Sequence, residues 1–246
     1  MNWNDASYKR DYVRAMFARI ARRYDLMNRL MTFGQDLRWR RQLVRATALP
    51  PDGRFLDVAT GTGDVAFLAA QPPYAPRLVV GLDLVPAMLQ RAQRRGADGH
   101  PPPVWLVGEA LHLPFASETF DAVASAFLLR NVSDVAAALR EQARVTRRGG
   151  RVACLDVPRP DGTTLGQRLF RLYFRHVVPL LGRVITGDGD AYKYLPASAE
   201  AFLTRTQLSH IMESVGLDDV RCHPVMLGAV VICVAVKREA RSVCHL

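Results

Sequence analysis

Phe55-Leu56-Asp57-Val58-Ala59-Thr60-Gly61-Thr62-Gly63-Asp64 is the stretch that decides how this chain folds. An apolar strand runs straight into a glycine turn, and the turn opens a helix. Gly61 and Gly63 carry no Cβ, which permits tight backbone geometry and close approach by a ligand. Ligands of such sheets sit beyond the carboxyl ends of the strands, near the point where strand order reverses.

Reading outward, the same rhythm recurs. Buried-strand patterns cover Arg54–Ala59, Leu78–Leu82, Val104–Val107, Ala122–Ala126 and Arg151–Asp156, with helical patterns between them at about 64–70, 86–95 and 134–145. Short connections between alternating strands and helices predict a parallel sheet covered on both faces. Upstream, Tyr12, Met16, Phe17 and Ile20 mark one face of a helix over 8–23, and a second helix covers about 37–47 before Pro50-Pro51-Asp52-Gly53 ends it. Downstream, a helix over 204–215 stops at Gly216, suited to a left-handed cap. Strands at about 220–225 and 229–236 flank Leu227-Gly228, which predicts a closing antiparallel edge hairpin. The organisation expected is one domain over 1–246, with N-terminal helices at about 8–47 and a substrate-covering insertion at about 160–200.

The glycine turn admits two ligand classes. Gly61, Gly63 and Ala66 fit the dinucleotide pattern GxGxxA, and Asp83 follows at a distance suited to a ribose carboxylate. Charge separates the two readings. Asp57 before the turn and Asp64 after it would repel a pyrophosphate, whereas an amine and a sulfonium would be attracted. The favoured ligand is therefore S-adenosylmethionine, with Asp57, Thr60, Gly61, Gly63 and Asp64 around its methionine end. Asp83 would accept hydrogen bonds from the ribose hydroxyls, or else cap the helix that follows. Glu109 and Ala110, after the third strand, would meet the adenine. Met88 is read equally as a ring contact or as core.

Composition narrows the function classes. The formal net charge is +10, and all but three of the 33 basic residues are arginine. Residues 1–50 hold eleven basic and four acidic side chains, a field that attracts phosphate, nucleic acid or an anionic leaflet. Nucleic acid is the least favoured partner, although a non-catalytic RNA-associated domain is the rival of a different class. No stretch has the length or apolarity of a membrane span, and the N-terminus lacks the apolar core of a secretory signal. Cys154, Cys222, Cys233 and Cys244 form no CxxC pair and read as incidental thiols in a reducing compartment. The histidines have no metal-ligand spacing, so no metal is expected.

Several further elements resemble the menaquinone/ubiquinone biosynthesis C-methyltransferases. Tyr24-Asp25-Leu26-Met27-Asn28 with Thr32-Phe33-Gly34 and Trp39 resembles that family's first signature, and Asp57 to Asp64 its cofactor loop. Glu109-Ala110 with Leu113-Pro114-Phe115 and Phe120-Asp121, Leu129-Arg130-Asn131-Val132, Arg144-Val145 with Gly149-Gly150, and Tyr192-Lys193-Tyr194-Leu195 with Ser198 continue the likeness. The resemblance runs from about residue 8 to residue 237. Departures fall at Asp36, where the family has His, at Leu128 in place of glycine, at Arg147-Arg148, and at Asp156-Val157-Pro158.

The resemblance implies a class I Rossmann-like methyltransferase with a seven-stranded, mostly parallel sheet. It implies methylation of a ring carbon of a polyprenylated hydroquinone, with demethylmenaquinol preferred and a benzoquinol precursor of ubiquinone next. Another small aromatic or lipid acceptor is a further alternative.

Such chemistry needs an electron-rich ring and a collinear carbon, methyl and sulfur. Arg130 and Asn131 follow the fourth strand and are expected to rise beside the cofactor, Arg130 stabilising a phenolate and Asn131 orienting a hydroxyl. The alternative for Arg130 is a structural ion pair. Asp156 is read as base or cap. Asp188, Asp190, Tyr192 and Tyr194, in a polar glycine-rich interruption, are read as lining the head-group site or as satisfying a loop. His176 is read as core or surface rather than base. The apolar segment 165–185, with Arg168, Arg171 and Arg175 at helical spacing, is read as covering an isoprenoid tail, touching a bilayer, or serving as a lid or homodimer contact. A cytoplasmic enzyme with transient contact to the inner face of the membrane is expected.

Overall fold

The architecture comes from a computed structural model, which describes residues 6–96, 102–159, 172–186 and 189–239, with the side chains of 184–193 outside the description. Seven strands form one sheet: β1 (Arg54–Val58), β2 (Leu78–Asp83), β3 (Val104–Val107), β4 (Phe120–Ala126), β5 (Thr146–Asp156), β6 (Leu217–Val225) and β7 (Val230–Lys237). Their order is β3-β2-β1-β4-β5-β7-β6. The first five are parallel, whereas β7 runs antiparallel to both β5 and β6. This is the Rossmann-like sheet with the antiparallel edge hairpin that the strand rhythm predicted.

The chain builds outward through β1, β2 and β3 and then returns to lay β4 beside β1. The reversal opens a crevice above the carboxyl ends of β1 and β4. Helices α4 (Asp64–Ala69), α5 (Pro86–Arg95) and α6 (Val135–Val145) connect the strands. Pro86 stands at the first turn of α5, where a missing N–H costs nothing, and Asp134 caps α6 by accepting from the Ala137 N–H. Phe55, Leu56, Val58, Val123 and Leu155 are buried on one side or the other of the sheet. This two-sided burial explains the unbroken apolar runs of the strands.

The N-terminal region contains the helix expected over 8–23, ending at Ile20, and adds a second helix that was not expected. It forms α1 (Ala6–Ile20) and α2 (Tyr24–Met31), separated by a turn in which the Arg23 N–H bonds to the Ile20 carbonyl. The break lets Met16 and Ile20 of α1 and Met27 and Met31 of α2 converge on one cluster with Val178 and Tyr194. Helix α3 (Gln35–Ala46) follows after Gly34, whose φ of 74° supplies the left-handed entry.

The late region is also corrected. The interruption around Tyr192 and Tyr194 is helical: α7 (Val178–Thr186), preceded by a π-helical turn at Tyr173–Val177, and α8 (Gly189–Glu200). Pro196 lies inside α8. Helix α9 (Arg205–Ser214) opens with a Thr204–Gln207 capping box, and Gly216 past its end has φ 89°, as expected of a left-handed cap.

Cys222 and Cys233 face each other across the β6–β7 ladder and are disulfide-bonded. This corrects the expectation of incidental thiols and removes the cysteine argument for a reducing compartment. Hairpin pairing, invisible in a separation of 11 residues, brings the two together. Cys154 is free and buried, and Cys244 lies outside the described residues. No described helix is long and apolar enough to cross a membrane.

Gly81, in the middle of β2, is held without a side chain by Trp105. A Cβ there would come within 2.5 Å of the indole and 2.9 Å of Thr60 Oγ1. Gly81→Ala is therefore expected to destabilise the protein by about 1–3 kcal/mol, the usual cost of overpacking a core. A lowered urea midpoint with an unchanged slope would show it.

Candidate active site

Two strained residues frame the crevice. Ala59 at the end of β1 and Phe127 at the end of β4 both adopt left-handed backbone, with φ 58° and 59°. Such conformations persist only where surrounding contacts over-determine them, and they gather at functional sites. Both line a pocket bounded below by Gly61, Leu82 and Asp83, laterally by Val85 and Met88, and above by Arg10, Arg14 and Phe17 of α1. Glu109, Ala110 and Asn131 complete the wall.

The anticipated cofactor residues divide into two groups. Gly61, Asp83, Glu109 and Ala110 line the pocket. Asp83 is held by two backbone donors, Gly61 N–H and Val85 N–H, each at 2.8 Å to a different oxygen. A carboxylate has about four acceptor positions, so two remain for a pair of hydroxyls. The backbone bonds of the cap reading thus leave acceptor capacity for the ribose reading. Burial pushes its carboxyl up to about 6. A Cβ on Gly61 would touch only Tyr24, at 3.8 Å.

Asp57, Thr60, Gly63 and Asp64 lie behind this wall instead. Asp57 accepts from Thr60 Oγ1 at 2.5 Å and from the Ala66 N–H at 3.1 Å, which staples the glycine turn to α4. Burial pushes its carboxyl up to about 7, and its second oxygen, Oδ1, is buried with no partner among the described residues. Gly63 is required by packing: a Cβ would lie 2.6 Å from Trp105 and 2.9 Å from Phe67.

Asp64 forms ion pairs with Arg29 at 2.8 Å, Arg95 at 2.8 Å and Arg40 at 3.6 Å. Burial raises its carboxyl, but the three guanidiniums outweigh that and hold it below the usual range. The negative charge of Asp64 is spent on arginines and is not open to a ligand cation. The charge reading of the site rests on Asp83 and Glu109, with Arg10 and Arg14 opposite. A ligand carrying hydroxyls, a cation and a carboxylate fits this mixed lining, as S-adenosylmethionine does.

A second, more apolar chamber adjoins the first. Phe17, Tyr24 and Phe127 line both, and beyond them lie Ile20, Met31, Trp39, Phe174, Leu195 and Met226. Its polar wall is Asn28, Thr32, Asp36 and Arg130. Consecutive residues of the short 3-10 turn Leu129–Asn131 therefore serve different chambers, Asn131 the first and Arg130 the second.

Arg130 is the buried ion pair that was the alternative reading. Its Nη1 donates to Asp156 Oδ1 at 2.6 Å, and its N–H to Asp156 Oδ2 at 3.3 Å. Asp156 is fully buried, also accepts the Val157 N–H, and lines neither chamber. The expectation of Asp156 as base is thereby corrected: its acceptors are committed to holding Arg130. The Arg130 Nε is buried with no hydrogen-bond partner among the described residues.

Asn131 is likewise committed, donating to the Phe127 carbonyl at 2.8 Å and accepting from the Tyr194 hydroxyl at 3.1 Å. Tyr194 supports the wall from behind, and burial pushes its phenol up to about 12. The Tyr192 and Asp190 side chains and Asp188 lie outside the described residues, as do Arg168 and Arg171. His176 is exposed on the π-helical turn.

Arg40 is the residue that sequence reasoning missed. Almost fully buried, it donates to Asp36 at 2.7 Å, pairs with Asp64 and lies 5.2 Å from the Phe127 ring centroid. Arg130 lies at the same distance from that ring. Arg29 bridges the same two carboxylates, hydrogen-bonding to both Asp36 and Asp64. An arginine four residues after Asp36 in a helix was the available signal. Asp36, read as a departure from the family pattern, is matched in charge by these two arginines.

Fold and site together define an S-adenosylmethionine-dependent methyltransferase. Residues 5–237 match the model of the ubiE/COQ5 methyltransferase family, and the chain belongs to that family. It is 44% identical over 231 residues to the demethylmenaquinone methyltransferase of Roseiflexus sp. (strain RS-1), covering 94% of this chain and 95% of that protein. It is 43% identical over 222 residues to the ubiquinone/menaquinone biosynthesis C-methyltransferase UbiE of Desulfotalea psychrophila, covering 89% and 87%. Among solved structures, a SAM-dependent methyltransferase of Thermotoga maritima superposes with a TM-score of 0.63 at 20% identity, over 92% of this chain and 99% of that one.

Two tests follow from the charges. Removing a partner from a buried ion pair leaves an uncompensated charge, so Arg40→Leu is expected to cost about 3–5 kcal/mol in chemical denaturation. Asp83 must be ionised to accept two hydroxyls beside a cation. Cofactor affinity therefore rises with pH through about 6 and levels above it, with net proton release on the acid side. Calorimetry in buffers of differing ionisation enthalpy reads both; a flat profile would remove Asp83 from the site.

Proposed function

We propose that this chain methylates a ring carbon of a polyprenylated hydroquinone, with demethylmenaquinol the preferred acceptor. The observation that carries the reading is the apolar chamber that shares Phe17, Tyr24 and Phe127 with the cofactor pocket and presents Arg130. A flat, apolar, aromatic acceptor suits walls of Trp39, Phe127 and Phe174. The activities named for the relatives support the same acceptor class.

Bound S-adenosylmethionine supplies an electrophilic methyl carbon on its sulfonium. Asp83 and Gly61 would hold the ribose end, Glu109 and Ala110 the adenine end, and Arg10 or Arg14 the carboxylate. Phe127 and Tyr24 align the acceptor ring at the junction of the chambers, so that the reacting atoms meet without a search. The Arg130 guanidinium stabilises negative charge on a ring oxygen, in a chamber where low polarity strengthens that attraction. Asp156 acts through Arg130 and positions it, while Asn131 and Tyr194 position Phe127.

Arginine keeps its proton and is a poor base. Asp36 is the carboxylate on the chamber wall, and it takes over the acceptor role first read for Asp156. Its Oδ2 is engaged by Arg29 and Arg40 and its Oδ1 by Thr32, which leaves one direction on Oδ1 for a ring hydroxyl. We place the enzyme in the cytoplasm, in transient contact with the membrane that holds its acceptor.

Arg130→Ala is expected to lower kcat by about 10²–10³-fold, with cofactor affinity within about threefold of wild type. Reduced naphthoquinol is the substrate and its oxidised quinone is not, because only the former carries ring electrons to donate. Equal turnover of the two redox forms, or of wild type and Arg130→Ala, would overturn the proposal.

A further inference from the structure

The apolar surface around the mouth of the acceptor chamber is larger than packing requires. Helix α2 buries Met27 and Met31 while presenting Leu26 and Leu30 outward, and Leu172 and Leu180 are exposed on the facing helical segment. The two segments touch: Tyr173 donates to the Met31 carbonyl at 3.1 Å, and its ring lies 6.0 Å from that of Phe33.

Phe33 and Leu227 are the telling pair. Each follows directly on a residue that lines the chamber, Thr32 and Met226 respectively, so each stands at its rim. Phe33 is 76% exposed and Leu227 77% exposed. Both adopt left-handed backbone, φ 52° and 56°, a conformation that bulky L-residues rarely take. Two large apolar side chains, each next in sequence to the chamber lining, are thus held in strained turns and projected into solvent. Exposed Arg22, Arg175 and Arg183 lie on the same helices or their flanks, in a chain of net charge +10.

We infer that this rim is a docking face for an anionic bilayer, through which the quinol enters the chamber directly from the membrane. The inference rests on the lipid-acceptor reading above. Phe33, Leu227 and the outward leucines enter the acyl boundary, while the arginines meet lipid phosphates. A tail leaving the chamber past Met226 and Phe174 then stays in hydrocarbon.

Flotation of the full chain with vesicles tests this, using phosphatidylglycerol–phosphatidylcholine mixtures against pure phosphatidylcholine. Wild type is expected to float with the anionic vesicles, and Phe33→Asp and Leu227→Asp each to lower that binding by roughly tenfold or more. Aspartate tolerates left-handed backbone better than Phe or Leu, so both variants are expected to keep the wild-type melting temperature or exceed it. Both are also expected to turn over a tail-less reduced naphthoquinol like wild type.

Absence of wild-type flotation, equal binding to pure phosphatidylcholine, or undiminished binding by both variants would overturn the proposal. So would light scattering that shows a wild-type dimer split by these substitutions with vesicle binding intact. Loss of the tail-less reaction in wild type would instead sink the acceptor reading, and flotation is measured independently of it.

Discussion

The Arg40 guanidinium is the constraint on which the catalytic end depends. It rises from α3 into a buried position between Asp36, Asp64 and the Phe127 ring. Through Asp64 it grips the start of the helix that follows the glycine turn, through Asp36 the wall of the acceptor chamber, and through Phe127 the partition between the chambers. Arg29 adds a bridge from α2 to the same two carboxylates. Buried charges are costly unless paired and hydrogen-bonded, and here each compensates the others. The N-terminal helices are thereby locked across the crevice that the sheet reversal opens, and the crevice becomes two joined rooms.

That division explains the chemistry of individual groups. Two of the carboxylates that meet arginine, Asp64 and Asp156, are structural anchors, whereas Asp36, whose arginines share Oδ2, keeps one acceptor direction on Oδ1. Asp83, which meets only backbone donors, has its pKa raised by burial and keeps acceptor capacity for a ligand. On the far side, Asp156 anchors the Arg130 Nη1, while its Nε has no hydrogen-bond partner among the described residues. A fixed cation with a spare donor at an apolar wall is what the proposed stabilisation of charge on an acceptor oxygen requires. The strain in Ala59 and Phe127 sits at the ends of the two strands that flank the reversal, where the ligands must meet.

Much of this was legible in the residues. The strand–glycine–helix passage at Phe55–Asp64 and the repeated buried runs were enough for the sheet, and Leu227-Gly228 for its closing hairpin. Gly61, Asp83, Glu109 and Ala110 line the pocket because backbone position alone puts them at the carboxyl edge. For Asp64, a sequence displays the charge but not its neutralisation by residues 24 and 35 positions upstream and 31 downstream. The same holds for Asp156. The break between α1 and α2, the helical character of Gly189–Glu200 and the Cys222–Cys233 pairing all follow from contacts between distant segments, which local periodicity does not encode. The acceptor chamber was the least legible part, since its apolar walls come from six separate stretches of chain.

The most direct measurement is a crystal structure of the complex with S-adenosylhomocysteine and a reduced naphthoquinol. It should show the ribose hydroxyls on Asp83 and the quinol ring between Tyr24 and Phe127, a ring oxygen facing Arg130 and the methyl-accepting carbon aimed at the sulfur. A quinol seated outside that chamber, or separated from the sulfur by an intact Phe127 partition, would contradict the account.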